Sequence, residues 1–142
     1  MTFNPFDENC HFIYKLDRAS ISSKMPGIDV TVKSAKGLAR MCAPTWDMVR
    51  GIKDGTVSQT QYTYEYKKIL DKNKIDIVSY LMAEACTTGG LLRFLCYCPD
   101  GAFCHTYLLM SWLQNELQIR HLVVRRLDHE RRARQGVLTI DF

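Results

Sequence analysis

At 142 residues, 46% of them apolar and 11% aromatic, the chain has the size of one domain and enough apolar surface to bury a core. No window approaches the roughly 20 consecutive apolar residues of a membrane span, and the opening "MTFNPFDENCHF" lacks the basic start and apolar run of a secretory signal, so a cytoplasmic protein is expected. The formal charge of +4 is uneven, because residues 120–134 hold six arginines against Asp128 and Glu130, and the six cysteines read as free thiols in a reducing compartment.

The first predicted element is a strand over "HFIYKL" (11–16), rich in aromatic and β-branched residues, followed by the polar "DRAS". A turn through Pro26 and Gly27 leads into "GIDVTVKS" (27–34), where Ile28, Val30 and Val32 alternate with polar residues as in a second strand. Pro44 and Thr45 mark a helix start, with Trp46, Val49 and Ile52 on one face and "KDG" (53–55) as the stop. Ser58 and Gln61 have capping-box spacing, and Tyr62, Tyr66, Ile69 and Leu70 follow at helical period. A third helical pattern, Ile75, Val78, Leu81, Met82 and Ala85, ends at Gly89 and Gly90.

"LLRFLCY" (91–97), bounded by Gly-Gly and Pro-Asp-Gly, reads as a buried strand of a parallel sheet, and a long helix is predicted from about Phe103 to Leu117. "IRHLVVRR" offers a last strand. Strands separated by helices define the expected fold class: an α/β, single Rossmann-like three-layer domain with a small, largely parallel sheet over 12–123. Residues 1–11 are then an N-terminal extension and 124–142 a basic C-terminal segment.

In such a fold ligands sit beyond the carboxyl ends of the strands. Three polar clusters are predicted to converge there: "DRAS" with Arg18, "KSAKG" with Lys33, Ser34, Lys36 and Gly37, and "CPDGAFCH". The last, preceded by Cys96 and Tyr97, supports three chemistries. Cys104 and His105 in the first turn of a helix would meet unpaired amides and a dipole that favour a thiolate, so they are the candidate catalytic pair. Gly101 leading into the same helix presents N–H donors suited to a phosphate, with Lys33, Lys36 and Arg18 supplying charge. Cys96, Cys98, Cys104 and His105 are four ligands of the right type for zinc, but C-x-C-x5-C-H lacks paired C-x2-C knuckles, so neither a metal nor a cofactor is expected.

The blocks "GLARMCAPTWDMVRGIKDGTVSQTQYTYEYKKIL" and "LLRFLCYCPDGAFCHTYLLMSWL" resemble a bacterial and phage family known only as domain of unknown function 488. Its members share an "S-I-A-R-G"-like segment, "L-A-P-S-W", "Y-T-x-x-Y", and a block of the form "L-L-C-Y-E … C-H-R … L-x-x-W-L". The resemblance runs from Phe12 to Val123 and implies a site at Cys96, Cys104, His105 and the 33–37 segment; Asp100 and Gly101 of the turn between them are further ligand-binding candidates. Thr106 stands where the family has an arginine after Cys-His, Lys36 replaces the arginine of "S-I-A-R-G", and Cys98 replaces the acidic residue after "C-Y". Both arginine replacements weaken bidentate anion recognition.

The function expected from these readings is binding, with or without processing, of a phosphate-bearing ligand, a nucleotide or nucleic-acid segment, at the rim of the sheet. The rival is a non-catalytic phage or host interaction module that meets a protein or nucleic-acid partner through its surface and its basic C-terminal segment. No membrane partner is expected.

Overall fold

The computed structural model describes residues 12–134. Four parallel strands form one sheet in the order β2-β3-β1-β4, with β1 at Tyr14–Ser20, β2 at Ile28–Asp29, β3 at Leu91–Cys96 and β4 at Val124–Arg126. Five α-helices accompany them: α1 Trp46–Asp54, α2 Gln59–Lys72, α3 Lys74–Thr87, α4 His105–Ile119 and α5 Leu127–Arg134. The chain is a single α/β domain. None of its described helices is long and apolar enough to cross a membrane.

Paired residues of parallel strands point to the same side, so Leu16, Arg18, Leu92, Phe94 and Cys96 share one face, while Asp17, Arg93 and Leu95 share the other. The first face carries the core, where Leu16, Phe94, Leu109, Met110 and Leu113 are fully buried. Arg126, on this face by register, donates to Ser111 and Gln114 of α4, which places α4 over it. The second face is covered differently. Arg131 of α5 pairs with Asp17 at 2.7 Å, and Arg93 donates to the Pro26 carbonyl of the short connection between β1 and β2. The layer on this side is therefore one short helix and a connection, not a set of long helices.

Several boundaries differ from the sequence reading. β1 starts later than expected and runs through "DRAS", because Asp17 and Arg18 find charged and hydrogen-bonding partners inside the fold and need no solvent. The second strand shrinks to Ile28–Asp29. Asp29 accepts hydrogen bonds from the Thr31 amide (2.9 Å) and hydroxyl (2.7 Å) and from the Ser34 hydroxyl, and this side-chain turn draws the chain out of the ladder before Val32 can pair. β3 is an interior strand, but only Leu92, Phe94 and Cys96 are buried, in alternation. Residues 124–134, read from sequence as basic tail, supply β4 and α5 to the domain; residues 1–11 and 135–142 lie outside the described residues.

The helix boundaries follow local chemistry. Thr45 accepts from the Met48 amide and caps α1, and Ser58 accepts from the Gln61 amide at 3.0 Å and caps α2. Ser58→Ala is expected to lower stability by about 1 kcal/mol in urea denaturation, with no change in the sheet. At the end of α3, Gly90 has φ +102° and its amide donates to the Ala85 carbonyl at 2.7 Å. A Cβ there would lie 2.3 Å from the Ile13 carbonyl oxygen, so only glycine lets β3 start beside β1.

Candidate functional site

The carboxyl end of β3 and the start of α4 bring together what the sequence scatters over Cys96 to Thr106. Cys96 ends β3 on the core face; Cys104 is the N-cap of α4, in extended conformation, without a side-chain cap bond. Their sulfurs lie 3.3 Å apart, and the Sγ atoms of Cys96, Cys98 and Cys104 are all within 4.8 Å of one another. The Thr106 hydroxyl donates to Cys104 Sγ at 3.3 Å.

Arg18 organises this cluster from behind. Its side chain has no solvent exposure, and its guanidinium donates to Cys96 Sγ, to the Cys98 carbonyl (2.7 Å), to the Asp100 carboxylate and to Thr106 Oγ1 (3.4 Å). Burial by itself disfavours the cation, but the negative charge drawn onto the cysteines, Cys96 foremost, outweighs it and holds Arg18 charged. The Tyr107 ring faces both this guanidinium and that of Arg132, at 5.4 and 5.2 Å.

His105 is buried, edge-on to Tyr66, and its Nε2 is 2.8 Å from the Val30 carbonyl oxygen. A carbonyl only accepts, so Nε2 carries the proton and Nδ1 presents a lone pair, 3.8 Å from Cys104 Sγ. Burial pushes the imidazole pKa below its ordinary value, which keeps the ring neutral at pH 7. The Cys104 thiol is lowered well below the ordinary thiol range by hydrogen bonds from Cys96 and Cys98, and by those from Thr106, against the opposing effect of burial. Cys98 moves the other way, because its hydrogen bonds to Cys104 and Cys96 and its burial favour the protonated form. Within the cluster the thiolate is thus favoured at Cys104, while the Asp100 carboxylate pairs with Arg18.

These groups form the floor of a cleft of about 260 Å³ between the 31–33 loop, α1 and the 96–105 segment. Its walls are mainly apolar: Val32, Pro44, Trp46, Val49, Tyr62 and Phe103 line it, with Lys33 and Lys53 among the lining residues. The Trp46, Val49 and Ile52 face of α1, expected from sequence as one face of a helix, is thus a wall of the cleft.

Of the residues singled out from sequence, Cys96, Cys104, His105 and Lys33 meet in the cleft, and Arg18 and Thr106 stand behind it. Ser34 is bound into the Asp29 turn and lies 2.8 Å from the Tyr97 hydroxyl. Lys36 lines a separate groove with Asp29, Tyr80 and Glu84, and Gly37 opens the short helix Gly37–Cys42, so the expected polar cleft shared by Lys36 and His105 does not form. Asp100 pairs with Arg18, and the Gly101 amide donates to the Tyr107 hydroxyl at 2.9 Å while Ala102 donates to the Pro99 carbonyl, so neither amide is left for a phosphate. Sequence reasoning missed Tyr62, Tyr97, Phe103 and Lys53 as lining residues, and Tyr107 as the platform under two arginines.

The C-terminal arginines are also committed. Arg120 pairs with Glu116, Arg125 with Glu130, Arg126 with Asp128 and Arg131 with Asp17. That is four of the six, which leaves no continuous basic stripe on this segment.

The fold and the cleft define a small parallel α/β domain with a thiol and imidazole pair at the carboxyl edge of its sheet. A family model described as the active DUF488-N3 subclade, DUF488-N3a, matches residues 27–117, and the chain belongs to the DUF488 family. The match takes in the cleft but stops short of β1, which carries Arg18. No curated protein and no solved structure matches the chain.

Proposed function

We propose that this chain binds a phosphate-bearing ligand with a planar ring, a nucleotide by class, and processes it with Cys104 as nucleophile. The observation that carries the reading is the position of Cys104: its sulfur, favoured as thiolate, lines an open, mainly apolar cleft beside the lone pair of His105 Nδ1. A cleft of about 260 Å³ accommodates one ring system, and Trp46, Tyr62 and Phe103 suit the faces of such a ring. Lys33 and Lys53, both exposed, suit phosphates left outside it. In this reading the Cys104 thiolate adds to an electrophilic C=N or C=C carbon of the ring, the π electron pair moves to the neighbouring ring atom, and His105 Nδ1, having taken the thiol proton, delivers it there; the reverse transfers expel the thiolate on release. The description of the matching subclade as active agrees with a functional site. We place the protein in the cytoplasm, where the five free cysteines among the described residues stay reduced.

A thermal-shift series with nucleoside monophosphates, inorganic phosphate and short oligonucleotides tests the reading, because a ligand that binds only the native state raises apparent stability. Nucleotides are expected to raise the melting temperature, and Lys33→Glu with Lys53→Glu to weaken binding about tenfold or more, equivalent to about 1.4 kcal/mol, with the circular dichroism unchanged. A melting temperature unmoved by every one of these compounds would favour the rival, a non-catalytic interaction module.

A further inference from the structure

Cys96, Cys98 and Cys104 are close enough to share one metal ion, and His105 stands beside Cys104. A tetrahedral zinc site with Zn–S bonds of about 2.3 Å separates its sulfurs by about 3.8 Å. Here Cys96 and Cys104 are 3.3 Å apart, all three sulfurs lie within 4.8 Å, and His105 Nδ1 is 3.8 Å from Cys104 Sγ. The sulfur separations lie near the tetrahedral one.

The surroundings match as well as the donors do. A histidine that ligates a metal through one nitrogen donates its other N–H to a carboxylate or a backbone carbonyl, and His105 Nε2 already does so to Val30. Ligating sulfurs accept hydrogen bonds from neighbouring donors, and here Arg18 donates to Cys96 and Thr106 to Cys104. Charge is compatible too. Three thiolates and one divalent cation leave a net −1 beside the buried Arg18 guanidinium, which the exposed Asp100 carboxylate shares from its other side, so the cation enters a site that already holds a counter-charge. Cys98 is half-buried and lines the cleft with the other three, which gives the ion a way in.

We infer that Cys96, Cys98 and Cys104 form a thiolate site for one thiophilic divalent cation, zinc by its chemistry, with the His105 Nδ1 lone pair beside Cys104 as the fourth ligand. The site stands on the cluster alone. Its consequence rests on the function proposed above: a sulfur bound to zinc is withdrawn from attack on the ligand, so the cation and turnover are alternatives, and zinc holds the domain in an inactive state. Binding requires the three sulfurs as thiolates, so protons leave as the ion enters and affinity rises with pH.

Cobalt titration of the reduced, metal-stripped full chain tests the inference. One equivalent is expected to produce the intense visible bands of a tetrahedral ion and a sulfur-to-cobalt charge-transfer band in the near ultraviolet, both lost when zinc is added. Cys98→Ser is expected to reduce the charge-transfer intensity by about a third, from three thiolates to two, and His105→Ala to shift the visible bands without that reduction. The wild-type titration needs no variant, so a poorly folding substitution does not remove the test. One equivalent of zinc is also expected to protect Cys104 from iodoacetamide, with reactivity restored by a chelator. Weak octahedral bands, or a spectrum untouched by Cys98→Ser, would overturn the site. Full alkylation of Cys104 in the zinc-loaded protein would overturn it too. The ligand reading fails separately, in the thermal shifts of the metal-free protein.

Discussion

Arg18→Met is expected to cost roughly 3 kcal/mol of stability in chemical denaturation and to raise the pH at which Cys104 becomes reactive. Methionine fills the volume of the arginine stem but removes the only described cation buried among the cysteines, leaving the Cys98 carbonyl with only the weak Cys96 thiol donor at 3.8 Å and depriving Thr106 Oγ1 of its Arg18 donor. The thiolate can then recover a proton, which limits the loss; Asp100 adds little, because its side chain is 75% exposed. Arg18→Lys separates charge from geometry. It keeps the cation but not the planar fork that reaches four acceptors, so the pH profile should be partly restored and the stability should not. An Arg18→Met protein as stable as the wild type would mean that the guanidinium contacts contribute nothing net.

Alkylation of the metal-free chain by iodoacetamide is expected to proceed at Cys104 well below pH 8, where ordinary thiols, with pKa about 8.5, are slow, and Cys104→Ser is expected to abolish this low-pH component. The same shift affects stability. Because the folded pKa of Cys104 is lowered, the folded chain binds fewer protons than the unfolded one between the two values, so this contribution is complete above the unfolded pKa and is lost as pH falls towards the folded one. His105 acts in the same direction below about pH 6.5, since the unfolded ring takes up a proton that the buried ring resists. At the alkaline side Cys98, Tyr66 and Cys42, all raised by burial or by their cysteine neighbours, ionise more readily in the unfolded chain and lower stability as pH rises. Denaturation midpoints should therefore rise from pH 6 to a maximum between about pH 8 and 9, then fall, and Cys104→Ser should flatten the rising limb. A flat profile through pH 6 to 8 in the wild type would refute a stabilised thiolate.

Four of the five helices were legible along the chain because their signals are local. Thr45 and Ser58 cap the helices they precede, Gly89 and Gly90 stop α3, and Tyr62, Tyr66 and Leu70 recur on one buried face. Strand ends were less legible, since they depend on partners. Asp17 and Arg18 look like a solvated loop until Arg131 and the cysteine cluster are in place, and nothing along the chain shows Asp29 capturing Thr31 and Ser34.

What the sequence by itself determined was the α/β class, the parallel strand at Leu91–Cys96 and the importance of the stretch from Cys96 to His105, because periodicity, capping and turn chemistry act between residues a few positions apart. Only the tertiary structure decided which groups work together there. Arg18, separated from Thr106 by 88 positions and from Cys96 by 78, comes beside both because β1 and β3 are neighbours in register, and the tautomer of His105 is set by a carbonyl 75 positions earlier. The spacing C-x-C-x5-C-H shows no paired knuckles, yet a strand end and a helix start that meet at one edge bring its sulfurs within 4.8 Å, since sheet register and helix packing, not separation along the chain, fix distances in the folded protein.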